Sequence, residues 1–231
     1  MPQATNAYLI NDSAANAAYN MAKDDYLLSI TDDNKLFLRF YDWSTPTMSI
    51  GYFQPYELGI NKGCDLVRRA TGGGLVDHRK DLTFTIVLPV SHPYIACKCE
   101  SYKQINSVIV SCLNKISVNA SLHEKHIDKA IDRKQMACFT TPSIHDVILN
   151  NGRKFAGGAQ RRRATGLLHQ GSIDISLIDR DRDLFKNDLI KAFTEKLAAS
   201  FSTYELSEKE ELIIQKLATE KYQTEKWNKK Y

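Results

Sequence analysis

Apolar and polar positions change period several times along this chain, and each change marks an element. Between 36 and 41, Leu36, Leu38 and Phe40 alternate with Phe37, Arg39 and Tyr41, the two-residue period of a strand. Shorter strand-like runs follow at 48–52, 65–69 and 82–90. From 102 the period lengthens. Tyr102, Ile105, Val108, Ile109, Cys112, Leu113 and Ile116 recur at helical spacing, which puts Cys112 on the buried stripe as a small hydrophobe. The polar stretch 120–135, with His123 and His126, reads as a loop. Strand-like pieces at 144–149, 154–157 and 167–175 come next. Asn150, Asn151 and Gly152 join the first two, and such residues tolerate the positive φ of a tight hairpin turn. Nearer the start, Asp12 and Ser13 form a plausible N-cap for a helix reaching about Leu28, with Tyr19, Ala22 and Tyr26 on one face. Two amphipathic helices, 181–201 and 207–222, close the pattern.

Hairpin-linked strands flanked by helices predict an α+β fold around a mixed sheet and argue against a doubly wound parallel one. No internal repeat, low-complexity tract or linker interrupts the pattern, so a single domain over 1–231 is expected, and 43% hydrophobic content suffices for its core. There is no apolar run of about 18 residues, and residues 1–19 lack the basic-then-apolar order of a secretion signal. Neither a membrane partner nor export is expected, and the cytoplasm is the expected location. Five scattered cysteines, Cys64, Cys97, Cys99, Cys112 and Cys138, fit a reducing compartment better than a disulfide framework. Cys97 and Cys99 stand too close for a zinc knuckle and lack a second pair, so no metal site is expected. A net charge of +4 does not call for nucleic acid. The basic clusters Arg161, Arg162, Arg163 and Lys226, Lys229, Lys230 read as solvated faces, with an acidic protein partner as the alternative.

Four segments hold candidate chemistry. Arg68, Arg69, Ala70 and Thr71 run into Gly72, Gly73 and Gly74, where a bare backbone lets a ligand approach several N–H groups. The spacing is neither a P-loop nor a dinucleotide fingerprint, and a flexible turn is the plain alternative. Lys154 precedes Gly157, Gly158 and Ala159 and alternates with Phe155, so one of the two faces the core. It has the chemistry to bind a carboxylate or to stabilise charge developing on a carbonyl oxygen, or else it is an ordinary surface lysine. Cys138 lies before Pro142 on no periodic stripe, as an accessible thiol would; a neighbouring cation would make it a nucleophile, and an inert loop cysteine is the alternative. His169 and Ser172, three apart in a strand-like piece, lack an acidic partner and the elbow of a serine hydrolase.

Together these segments resemble the lipoate-protein ligase and octanoyltransferase family, most closely its single-domain, cysteine-dependent octanoyltransferases. The resemblance covers nearly the whole chain. It runs through Asn20, Met21, Ala22 and Asp24, then Arg39 to Trp43, Ser49 to Gln54, Arg68 to Gly73 with His78, and Leu82 to Phe84. It continues with Cys138 and Phe139, Pro142 and Ser143, Gly152 to Gly157, Gly171 to Ile173, Tyr204 to Ser207, Glu220 to Tyr222, and Trp227 with Asn228. The resemblance implies a biotin/lipoate ligase-like fold of the class II aminoacyl-tRNA synthetase and biotin synthetase type: a mixed, largely antiparallel sheet with helices packed on one side. It also implies an acyl-binding cleft. Lys154 would contact the acyl carbonyl, Arg69, Thr71, Gly72, Gly73, Gly74 and His78 would form the opposite wall, and Gly157, Gly158, Ala159, His169 and Gly171 would complete it.

Cys138 falls at the nucleophile's place, so the implied reaction is ping-pong: octanoyl passes from octanoyl-acyl carrier protein to Cys138, then to a lysine of a lipoyl domain or the glycine cleavage H protein. Lys154 would polarise the carbonyl and favour the thiolate, the N–H groups of a 157–160 turn would assist, and the Arg161–Arg163 run would dock acidic partners. No cofactor is implied for such a transferase. The alternative is a lipoate-protein ligase that uses ATP and Mg²⁺ and in some cases an accessory protein; the thiol at 138 and the lack of a further domain after Trp227 favour the transferase. The chain departs from the family pattern at Gly158, where serine is common, and at His169 and Gln170, where the order is glutamine-histidine, and Gly74 resembles the ligase form of the loop at least as well as the transferase form.

Overall fold

The alternation over 36–41 has two apolar faces, and both are covered. The computed structural model describes residues 6–31, 35–60, 63–95, 100–127 and 131–231. The chain opens with β1 (Asn6–Asn11), α1 (Ala17–Ile30) and β2 (Lys35–Tyr41). A small sheet follows, of β3 (Thr47–Ile50), β4 (Asp65–Arg68) and β5 (Val76–Asp77) in the order β4-β3-β5. Next come β6 (Asp81–Pro89), α2 (Glu100–Lys115), β7 (Ala120–Leu122), β8 (Val147–Leu149), β9 (Lys154–Arg162) and β10 (Gly166–Asp174). The last elements are α3 (Arg182–Leu197), β11 (Phe201–Thr203), α4 (Glu208–Leu217) and α5 (Glu225–Asn228). Among the described residues the main sheet has eight strands in the order β11-β1-β2-β6-β10-β9-β8-β7. β1 runs parallel to β11 and β2, and every other neighbouring pair is antiparallel. This is the expected mixed, largely antiparallel α+β sheet.

One expectation changes. Leu36, Leu38 and Phe40 pack with Ile105 and Ile109 of α2 and Phe185 and Leu189 of α3, whereas Phe37 packs with Leu27 and Leu28 of α1. Successive strand residues point to opposite faces, so helices lie on both sides of the sheet and not on one. The central strands require this, because β6 is buried along its whole length. Each fully buried Leu or Phe there contributes roughly 1.5–3 kcal/mol.

Local chemistry explains the shifted boundaries. Asn16, not Asp12 or Ser13, caps α1, accepting the Tyr19 N–H at 2.9 Å. Asp12 is instead drawn into ion pairs with Lys23 and Arg39 at 2.7 and 2.6 Å, which a charged acceptor favours over a neutral cap. The third helix ends at Leu197 and not at 201 because Ala198 turns left-handed with φ 49°, and Phe201–Thr203 then adds an edge strand beside β1. β1 itself falls ahead of the first element that the pattern predicts, and β7 falls inside the expected loop. Ser207 caps α4 through a reciprocal capping box with Glu210, close to the expected start. Cys112 is 2% exposed on the buried face of α2. Cys97 and Cys99 lie outside the described residues. Among the described residues no helix is long and apolar enough to cross a membrane.

Candidate active site

Strict alternation along β9 would put Lys154 and Gly157 on opposite faces. The pairing with β8 changes that: Ile148 faces Lys154 while its neighbour Val147 faces Ala156, so Phe155 is an extra residue. Such a β-bulge re-aims side chains. Phe155 and Ala156 both enter the core, and Lys154 and Gly157 both line a cavity of about 320 Å³.

The opposite wall is the glycine loop that leaves β4. Arg69 holds that loop from inside. Its guanidinium donates to Ser49 O and Oγ at 2.7 Å each and to the carbonyls of Gly72 and Gly74 at 2.9 Å each. Burial pushes Arg69 down to about 10, with Cys138 and Tyr41 opposing, so it stays charged at neutral pH. Gly73 takes φ +83°, where a side chain is strained. A Cβ on Gly74 would lie 2.6 Å from Met136 O. The bare backbone there lets Leu75 bond Met136 O at 2.9 Å and accept the Cys138 N–H at 2.8 Å. The glycine loop thereby fixes the cysteine loop.

The thiol and amine meet across the cavity. Lys154 Nζ is 3.4 Å from Cys138 Sγ and 2.7 Å from Asp146 Oδ2. Burial opposes the charged amine, but Cys138 and Asp146 outweigh it and hold Lys154 above the ordinary lysine value. His78 lines the same cavity, with Nε2 2.6 Å from Ser49 Oγ and Nδ1 2.8 Å from Asp81 Oδ2, beneath Trp43 with ring centroids 4.2 Å apart. Met21, Tyr41, Val76 and Phe53 add apolar surface, and Phe53 is 62% exposed.

The cavity brings together Cys138, Lys154, Arg69, Gly72, Gly73, Gly74, His78, Gly157, Gly158, Ala159 and Gly171. Two residues of the expected set stand elsewhere. Thr71 works one layer back, donating to Gln170 Oε1 at 2.7 Å. His169 lies on the other face of β10, stacked on Phe84 and tilted against Tyr102, where burial pushes it down to about 3. The glycine at 158 makes this possible, since a Cβ there would lie 2.5 Å from His169 Nε2. Gln170, the next residue, takes the cavity side.

Residues 157–160 are strand, not turn, and the Gly158 N–H is already bonded to the Tyr102 hydroxyl at 2.9 Å. That amide is therefore not free for an acyl oxygen. The arginine run is likewise bonded within the chain. Arg161 donates to Ala70 O at 3.2 Å, Arg162 to Ile95 O at 2.9 Å, and Arg163 pairs with Asp25 at 2.7 Å. Asp146, Tyr102 and Gln170 are the residues that sequence reasoning passed over. A signal existed for Asp146: it is an acid at the head of an apolar run, across the expected hairpin from Lys154.

Residues 16–208 match the lipoyl protein ligase A/B catalytic domain. The chain belongs to that family. It is 36% identical to octanoyltransferase LipM of Staphylococcus epidermidis over 79% of this chain and 72% of that protein. Against octanoyltransferase LipM of Bacillus anthracis it is 30% identical over 96% of this chain and 97% of the other. Among solved structures it resembles a T. acidophilum protein described as a lipoate protein ligase with bound lipoic acid: TM-score 0.79, 25% identity, 99% of this chain and 100% of that one. Lipoate-protein ligase A bound with ATP superposes with TM-score 0.79 at 24% identity, over 98% of this chain and 99% of that one, and so shares the fold.

Proposed function

We propose that this chain moves an octanoyl group from octanoyl-acyl carrier protein to a lysine of a lipoyl domain, such as the glycine cleavage H protein, through a thioester on Cys138. The 3.4 Å approach of Lys154 Nζ to Cys138 Sγ at the wall of a largely apolar cavity carries this reading, and the octanoyltransferase names of the relatives supply the acyl group.

In the first step the Cys138 sulfur attacks the donor's thioester carbon. A carbon–sulfur bond to Cys138 forms, the bond to the carrier thiol breaks, and the carrier thiol leaves with the proton that Cys138 gave up. Negative charge gathers on the carbonyl oxygen meanwhile, and the Lys154 ammonium is the cation at hand to meet it; one such donor is worth about 2.7–4 kcal/mol. In the second step the neutral amine of the acceptor lysine attacks the acyl carbon, the amide forms, and the Cys138 sulfur leaves with the proton that the amine nitrogen loses. Arg69, Gly72, Gly73, Gly74, His78, Gly157, Gly158, Ala159 and Gly171 form the acyl-binding walls, and burying the chain against them contributes about 0.8 kcal/mol per methylene. The reaction uses no cofactor, takes place in the cytoplasm, and engages neither nucleic acid nor membrane. The test is incubation of enzyme, octanoyl-acyl carrier protein and lipoyl domain, with and without ATP and Mg²⁺. Octanoylation of the acceptor without ATP is expected. Transfer only from free octanoate or lipoate, and only with ATP, would make the chain a lipoate-protein ligase instead.

A further inference from the structure

Asp146 is fully buried, and three donors from different segments converge on it. Its Oδ2 accepts the Ser143 N–H at 2.5 Å and the Lys154 ammonium at 2.7 Å, while its Oδ1 accepts the Tyr102 hydroxyl. Tyr102, from α2, in turn accepts the Gly158 N–H of β9 at 2.9 Å. One carboxylate therefore ties together the loop after Cys138, both ends of the lysine segment, and α2. A lysine ammonium has three donors. One is directed to Asp146 and one to Cys138, and among the described residues no third acceptor bonds it.

We propose that Asp146 is a positioning residue, which fixes the Lys154 ammonium so that its remaining N–H is left for the acyl oxygen. The proposal deepens the transferase reading and rests on it for the identity of that oxygen. Three donors already share its oxygens, one of them the Lys154 ammonium, so the role assigned to Asp146 is to act through Lys154. The titratable groups facing Lys154 are Cys138 and Asp146, with Tyr102 behind Asp146 and Arg69 as the second cation near the thiol. Burial favours the neutral amine, and Cys138 and Asp146 oppose it. Removing the carboxylate charge therefore lowers the pH at which Lys154 loses its proton.

The test combines Asp146→Asn, Asp146→Glu and Tyr102→Phe. In Asp146→Asn, acylation of Cys138 is expected to slow by about 10²-fold, as misplacement of a reacting group does, and its alkaline limb to move to lower pH. Asp146→Glu should restore the limb in part, and Tyr102→Phe should slow acylation while leaving the limb in place. A second measurement needs neither substrate nor variant: the pH dependence of trace acetylation of Lys154 in the wild-type protein, read by peptide mass, should turn at higher pH than that of a free lysine peptide added as a standard. An unmoved limb in Asp146→Asn, or a Lys154 labelling curve that coincides with that of the free peptide, overturns the positioning role. If the labelling curve is displaced as expected but octanoyl-acyl carrier protein never acylates the enzyme, the positioning stands and the transferase reading falls.

Discussion

Two clusters of buried charge lie on the same side of the main sheet, with Gln170 between them. In the first, Arg39 is fully buried, and each of its guanidinium nitrogens is bonded within the protein: to Asp12 at 2.6 Å, to Asp24 at 2.7 Å, and to Asn20 O and Oδ1 at 3.1 and 2.7 Å. In the second, Lys154 is 6% exposed, pairs with Asp146 and Cys138, and borders a cavity. Burial and pairing are alike in both. The difference is that the first cluster is closed on itself, whereas the second keeps a donor facing open space. A buried charge therefore does not by itself mark a functional site; a buried charge with unspent bonding capacity at a cavity does.

Replacing each cation by an apolar side chain of similar length breaks the comparison in different places. Lys154→Met should lower acylation by on the order of 10²–10³-fold per folded molecule, measured by stopped reaction with octanoyl-acyl carrier protein. Arg39→Met removes the cation paired with buried Asp24, while Asp12 keeps Lys23, and should cost about 3–5 kcal/mol of stability, read from denaturant unfolding, while activity per folded molecule holds. If both variants lose activity alike, the distinction between closed and open clusters fails. A gentler probe is the substrate. Shortening the donor from octanoyl to hexanoyl removes two methylenes from the cavity, which at about 0.8 kcal/mol each should lower kcat/KM by about 15-fold. The smallest effect is expected behind the sheet. His169→Leu gives up the Gln160 contact but removes a buried nitrogen that has no partner among the described residues, so stability should change by less than about 1.5 kcal/mol. A large activity loss in that variant would return His169 to the cavity.

Much of this architecture was legible from periodicity. The two-residue alternation at 36–41 and the helical spacing from 102 marked elements whose pattern is set by burial, and burial is what the sheet and α2 obey. The hairpin at 150–152 was legible for a different reason, because Gly152 needs its φ of +79°. What failed to show was long-range. β1 and β11 pair with each other at the sheet edge and carry little pattern of their own. The bulge at Phe155, which puts Lys154 and Gly157 on one face, depends on register with β8 and breaks the strict alternation that sequence reading assumes. Asp146 and Tyr102 were overlooked because an isolated acid and a helical tyrosine acquire meaning only when folding brings them to the same amine. His169 was misassigned by a single position: Gln170 faces the cavity, and the ring of His169 fills the space that Gly158 leaves.

The intermediate itself offers the most direct check. Enzyme mixed with octanoyl-acyl carrier protein, without ATP or an acceptor, should gain one octanoyl group, removable by hydroxylamine and mapping to the peptide that contains Cys138. Cys138→Ser should show no such thioester adduct. An adduct on any other residue, or a wild-type enzyme that stays unmodified here yet octanoylates a lipoyl domain added in a parallel reaction, would contradict the account.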